Sequence, residues 1–133
     1  MKRLLSILVL ACNPLAAQAA SPNEIQAGYA KAAQADGGSG GFSAARGERL
    51  FTARHGREWS CTSCHGATPT AAGKHAATGK SIAPLAPSTN AERFSAPARV
   101  EKWFRRNCND VLGRECTALE KGDVMAFLLT FGK

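Results

Sequence analysis

This chain is poor in methionine and in strand patterns. Besides Met1 there is only Met125, so a thioether sulfur is barely available as a metal donor, and Met125 sits beside Val124 and near Phe127 and Leu128, where it reads as core packing. No stretch alternates apolar and polar residues as a half-buried strand would, and no strand-helix-strand succession occurs. That argues against a thioredoxin-like fold and leaves an all-α reading. The longest apolar run, Leu4 to Cys12, is far short of the about 20 residues that span a bilayer. Acidic residues are few as well, 10 against 17 Lys and Arg, giving a formal charge of +7. So basic a surface suits nucleic acid, anionic lipid or an acidic protein partner.

The N-terminus narrows that choice. Lys2 and Arg3 precede the apolar run, and Ala17-Gln18-Ala19 follows as a cleavage signature, so residues 1–19 read as a secretory signal peptide. Export argues against a nucleic-acid partner. Removing Lys2 and Arg3 with no acids lowers the charge from +7 to +5. The rival reading takes Val9-Leu10-Ala11-Cys12 as a lipoprotein signal with Cys12 lipidated, although Leu10 is large for it.

Four helices are predicted beyond the signal. Ser21-Pro22-Asn23-Glu24 is a capping box with proline at the first helical position, opening a helix to about Ala35. Asp36 to Gly41 contains four glycines and reads as a flexible link, so residues 20–41 are expected to be an appendage to a domain at 42–133. A second helix is expected from Ser43 towards Arg57, with Gly47, Leu50, Phe51 and Arg54 dividing a core face from a charged one. A third runs from Pro97 to Arg106 with Val100, Trp103 and Phe104 on one side. The fourth follows the capping box Thr117 to Glu120 and carries the stripe Val124, Phe127, Leu128 and Phe131.

Between the second and third helices lies Cys61-Thr62-Ser63-Cys64-His65. Two thiols three positions apart can each add to a vinyl group of one porphyrin, and the next histidine, His65, then reaches the iron. This C-x-x-C-H run is the covalent attachment pattern of haem c, one per chain. A thioredoxin-like pair or half of a zinc site is the bland alternative, but no second C-x-x-C and no histidine pair at zinc spacing follows. The Gly66 to Asn90 stretch, mostly Ala, Gly, Thr, Ser and Pro, reads as an ordered loop wrapped over such a cofactor. Of the five cysteines, Cys12 leaves with the signal and Cys61 and Cys64 go to haem. Cys108 and Cys116 remain as a pair in an oxidising compartment, where a disulfide is the default.

The arrangement resembles a class I cytochrome c, with Gly47 and Phe51 crossing Phe127 and Phe131, yet it lacks a loop methionine. Glu101-Lys102-Trp103-Phe104-Arg105-Arg106-Asn107-Cys108 through Cys116, with Gly79 to Pro87, more closely resembles the monohaem cytochromes named after the sphaeroides haem protein. The resemblance implies a periplasmic, high-spin cytochrome in which Asn107 is the displaceable sixth ligand beside the Cys108 to Cys116 bridge. It further implies a dihaem cytochrome c as electron donor and a small diatomic, O2, NO or CO, as ligand. Trp103 and Phe104 are expected to pack on the macrocycle, and Arg105, Arg106 and Arg114 flank the site. The alternative is a plain electron carrier with His75 or Met125 as a permanent sixth ligand. His55 is expected at the surface or beside a propionate, and the bland reading of Asn107 is a residue ending a helix.

Overall fold

The computed structural model describes residues 19–38 and 40–132. Nearly all of the expected signal peptide, Cys12 included, lies outside the described residues. Within them, the helices are α1 (Pro22–Ala35), α2 (Ala44–Thr52), α3 (Cys61–His65), α4 (Pro97–Leu112) and α5 (Ala118–Leu129), the last continuing into a 3-10 turn, Thr130–Gly132. No described helix is long and apolar enough to cross a membrane.

Both predicted capping boxes form. The Glu24 carboxylate accepts from the Ser21 N–H at 2.7 Å while the Ser21 hydroxyl accepts from the Glu24 N–H at 3.3 Å. Thr117 and Glu120 repeat the exchange at 2.8 and 3.2 Å. Each box satisfies two of the amide donors that a helix start leaves without partners.

The framework is the crossing of α2 over α5. Gly47 lies directly on the Asp123–Val124 backbone, where a Cβ would overlap the Asp123 carbonyl. Phe51, 2 % exposed, then packs its ring 5.5 Å from that of Phe127. Phe131 meets Phe127 edge-on at 5.2 Å. A polar clamp fixes the register: buried Asp123 accepts two guanidinium bonds from Arg46 at 2.7 and 2.8 Å and one from the Ser43 N–H at 2.6 Å.

Four expectations are corrected. The second helix stops at Thr52, because Ala53 is extended and His55 Nε2 bonds the Leu50 carbonyl at 2.9 Å, closing the last turn. The third helix runs past Arg106 to Leu112 and stops at Gly113, whose left-handed φ of 71° donates its N–H to the Asn109 carbonyl. The loop between them carries two two-residue strands, β1 (Gly73–Lys74) and β2 (Ser81–Ile82), paired antiparallel. Finally α1 is no appendage. Ile25, Tyr29 and Ala33, spaced four apart, form one buried face that packs on α5, and the glycine link turns the chain back, with the Gly38 N–H on the Ala33 carbonyl at 2.8 Å.

Cys108 and Cys116 are bridged, with Cα atoms 5.6 Å apart. The loop they close is also tied to α5 by Arg114, which donates to both Glu120 oxygens at 2.8 and 2.7 Å.

Candidate functional site

α3 is a single turn held by its own polar residues. Ser60 donates its N–H to Ser63 Oγ at 3.0 Å, and its hydroxyl lies 2.6 Å from that of Thr62. On so short a helix Cys61, Cys64 and His65 fall three and four residues apart, hence on one side. All three line one cavity of about 580 Å³, within the range of sites that enclose a large organic ligand. The β1–β2 hairpin closes over α3. Gly73 lies so near that a Cβ would overlap the Cys64 carbonyl, and the Ala76 N–H points at Cys64 Sγ at 3.3 Å.

Burial sets the chemistry of these groups. It pushes the Cys61 thiol up to about 11 and, with the positive charge of Arg93, holds His65 down to about 4. His65 is therefore neutral, with a lone pair available to a metal. Its ring stands 6.3 Å from that of Phe51, tilted by 36°. Arg93 is itself fixed, donating to the Pro84 and Ala83 carbonyls at 2.8 Å each.

The other walls are mostly apolar. α2 gives Leu50 and Phe51, α5 gives Val124 and Leu128, and the long loop gives Ile82 and Leu85. α4 contributes Val100, Trp103, Phe104 and Asn107. Trp103 is 43 % exposed with the Arg106 guanidinium 5.2 Å from its ring, whereas Phe104 is half-buried and meets Tyr29 edge-on at 6.0 Å. Asn107 is half-buried and lies inside α4, five residues before its end, so the view of it as a helix-ending residue is overturned. Asn109, one position past the bridged Cys108, is exposed and bonded to the Arg105 carbonyl at 2.7 Å.

The alternative ligands fare differently. Met125 is fully buried in the core and does not line the cavity. His55 is spent on Leu50 and is also off the cavity wall. His75 does line it, and its Nδ1 accepts the Thr78 N–H at 3.2 Å. Arg105 and Arg114 lie off the wall, and Arg106 is on it.

Two thiols one turn apart, a neutral histidine beside them, apolar walls, and the cations Lys80, Arg93, Arg99 and Arg106 for acidic side groups together fit a haem. A zinc site does not fit: among the described residues no group of three His, Cys, Asp or Glu converges. What signal the sequence missed is Arg93, which sits in an irregular loop with no pattern to single it out.

Known proteins agree. A family model described as Domain of unknown function (DUF1924) matches residues 37–128. The cytochrome c-type protein SHP of Cereibacter sphaeroides is 47% identical over 132 residues, 96% of this chain and 98% of that protein. Cytochrome c'' of Methylophilus methylotrophus is 45% identical over 82 residues, 62% of this chain and 57% of its own length. The solved structure of oxidized SHP, an oxygen-binding cytochrome c, superposes with a TM-score of 0.74 at 49% identity, covering 83% of this chain and 96% of that one. The solution structure of cytochrome c'', which bears on haem-ligand detachment, gives 0.72 at 34%, covering 84% and 94%. With its all-α class I-like fold and covalently bound haem c, the chain belongs to the family of the cytochrome c-type protein SHP.

Proposed function

We propose that the protein is a periplasmic, high-spin cytochrome that accepts an electron and then binds a small diatomic such as O2 or NO at a site that Asn107 vacates. The observation that carries this is the place of Asn107: half-buried, inside α4, on the wall of the cavity that also holds His65. The likeness to an oxygen-binding cytochrome c supports it. When bound, haem c supplies an iron that exchanges one electron and can hold a diatomic.

The chain's own residues do the rest. Cys61 and Cys64 fix the macrocycle, and His65, kept neutral by burial, provides the proximal nitrogen. Asn107 would offer a neutral amide oxygen, a hard donor that suits a ferric ion and competes poorly for a softer ferrous one, so its hold would be the weaker in the reduced protein. Its amide nitrogen carries two protons and could then donate a hydrogen bond to a guest molecule. Trp103 and Phe104 stand one helical turn earlier and give that side of the cavity an apolar wall.

Electrons come from an acidic redox protein, with a dihaem cytochrome c as the form the resemblance implies. Lys80, Arg99 and Arg106 all reach the cavity, and cations there steer an acidic partner to it.

The test is the absorption and electron paramagnetic resonance spectrum of the holoprotein and of Asn107→Ala, ferric and reduced, with carbon monoxide added to the reduced form. High-spin ferric iron that turns five-coordinate or aqua-bound in the variant, with rapid carbon monoxide uptake by both, is expected. Identical ferric spectra for the two proteins would remove Asn107 from the iron.

A further inference from the structure

α4 is held to the frame differently from the other helices. α2 crosses α5 closely, and α1 packs on α5, but among the described residues α4 has no extended backbone packing against any helix. Side chains tie it instead. Near its C-terminus the ties are the Cys108 bridge and the Arg57 guanidinium, which lies against Gly113.

At its N-terminal half Val100 packs into the core, and a three-residue polar cluster adds a second tie. The Tyr29 hydroxyl of α1 donates to Glu101 Oε1 at 2.5 Å, and Lys121 Nζ of α5 donates to Glu101 Oε2 at 2.7 Å. Lys121 also sits 5.6 Å above the Tyr29 ring. One carboxylate on α4 is thus shared between two other helices. Tyr29 adds a second hold, because its ring meets Phe104 edge-on, and Phe104 lies between Glu101 and Asn107, three residues from each.

The electrostatics keep the cluster in one protonation state. Burial and the neighbouring carboxylate push Tyr29 well above the usual phenol range, so it remains a donor. Burial would raise Glu101, but bonds from Lys121 and Tyr29 outweigh it and hold the carboxyl below its ordinary value.

From these contacts we infer that Tyr29 is a positioning residue for the ligand-binding side of the cavity: through Glu101 and Phe104 it sets where α4, and with it Asn107, stands relative to the iron. This rests on the reading of Asn107 given above. It makes α1, which lies outside the span of the matched family model, part of the ligand site's control.

Tyr29→Phe tests it in the full holoprotein, since the ring stays against Phe104 and only the hydroxyl is lost. The carbon monoxide dissociation rate of the reduced form is expected to change by about fivefold, the scale of one lost hydrogen bond, together with a shift in reduction potential. A lower Tm with unchanged ligand rates and potential would mean a merely structural contact and overturn the inference. Glu101→Gln approaches the same bond from α4. If Tyr29→Phe fails to fold, altered ligand rates in Glu101→Gln support the inference and unaltered ones overturn it. Where both fold, the double variant should be no worse than the stronger single one. Asn107→Ala is measured in parallel. A changed spectrum there with inert Tyr29→Phe overturns the positioning role alone, whereas an unchanged Asn107→Ala with altered Tyr29→Phe removes Asn107 and leaves the control of α4 standing.

Discussion

Gly47 and Asp123 meet backbone to backbone, and the space between them admits no side chain. Since that contact sets how closely α2 crosses α5, Gly47→Ala should destabilise the holoprotein by about 1 to 3 kcal/mol, the usual cost of forcing atoms into a packed core. Thermal unfolding measures it, with roughly 4 to 8 °C in Tm per kcal/mol for a domain of this size. An unchanged Tm would show that the helices do not touch there.

Replacing Cys108 and Cys116 by alanine together opens a loop of sequence separation 8. The chain-entropy model gives a loss of about 2 to 3 kcal/mol for so short a loop. Denaturant unfolding under non-reducing conditions reads it. The haem, attached elsewhere, should remain, and a double variant as stable as the parent would mean that Arg114 and Glu120 alone hold the segment.

Met125 and His75 are predicted to be spectroscopically silent. Met125→Leu keeps volume in a fully buried position, so it should cost under about 1.5 kcal/mol and leave ferric and ferrous spectra alone. His75→Ala should do the same. A new axial-ligand band, or loss of one, in either variant would return the sixth ligand to that residue.

Acid stability should report Glu120. Arg114 and the Thr117 amide hold its carboxyl below the ordinary 4.5, although burial opposes them. A carboxyl depressed in the folded state takes protons less readily than in the unfolded chain, so its stabilisation is complete above about pH 4.5 and fades as the pH falls through the folded value. Glu120→Gln should therefore be less stable than the parent at pH 7, by under about 1 kcal/mol given the solvent access. The gap should close in acid; a gap that persists at low pH would show that the carboxylate charge is not what matters.

The parts of the fold that were legible are those governed by local chemistry. Capping boxes at Ser21 and Thr117 and the pairing of Cys108 with Cys116 all follow from neighbours in sequence. The errors came where distant contacts decide. Arg105-Arg106-Asn107 is a polar run that suggests a helix end, yet the bridge and the Gly113 cap carry α4 through it. Four glycines suggested a loose α1, but Ile25 and Tyr29 find their partners on α5 and α4, and Tyr29 is 72 residues from Glu101. No periodicity announces such a contact. In the site, Cys61, Cys64 and His65 were legible as a motif, while the wall facing them is assembled from four separate segments.

The bridged Cys108 is the immediate neighbour of Asn107. That adjacency sets a clock. Collective movements of a helix take microseconds to milliseconds, far longer than the turning of single side chains. With the chain pinned one residue away, rearrangement at position 107 falls to the side chain alone, and the speed of any exchange there is left to the bond being broken and to the arriving molecule.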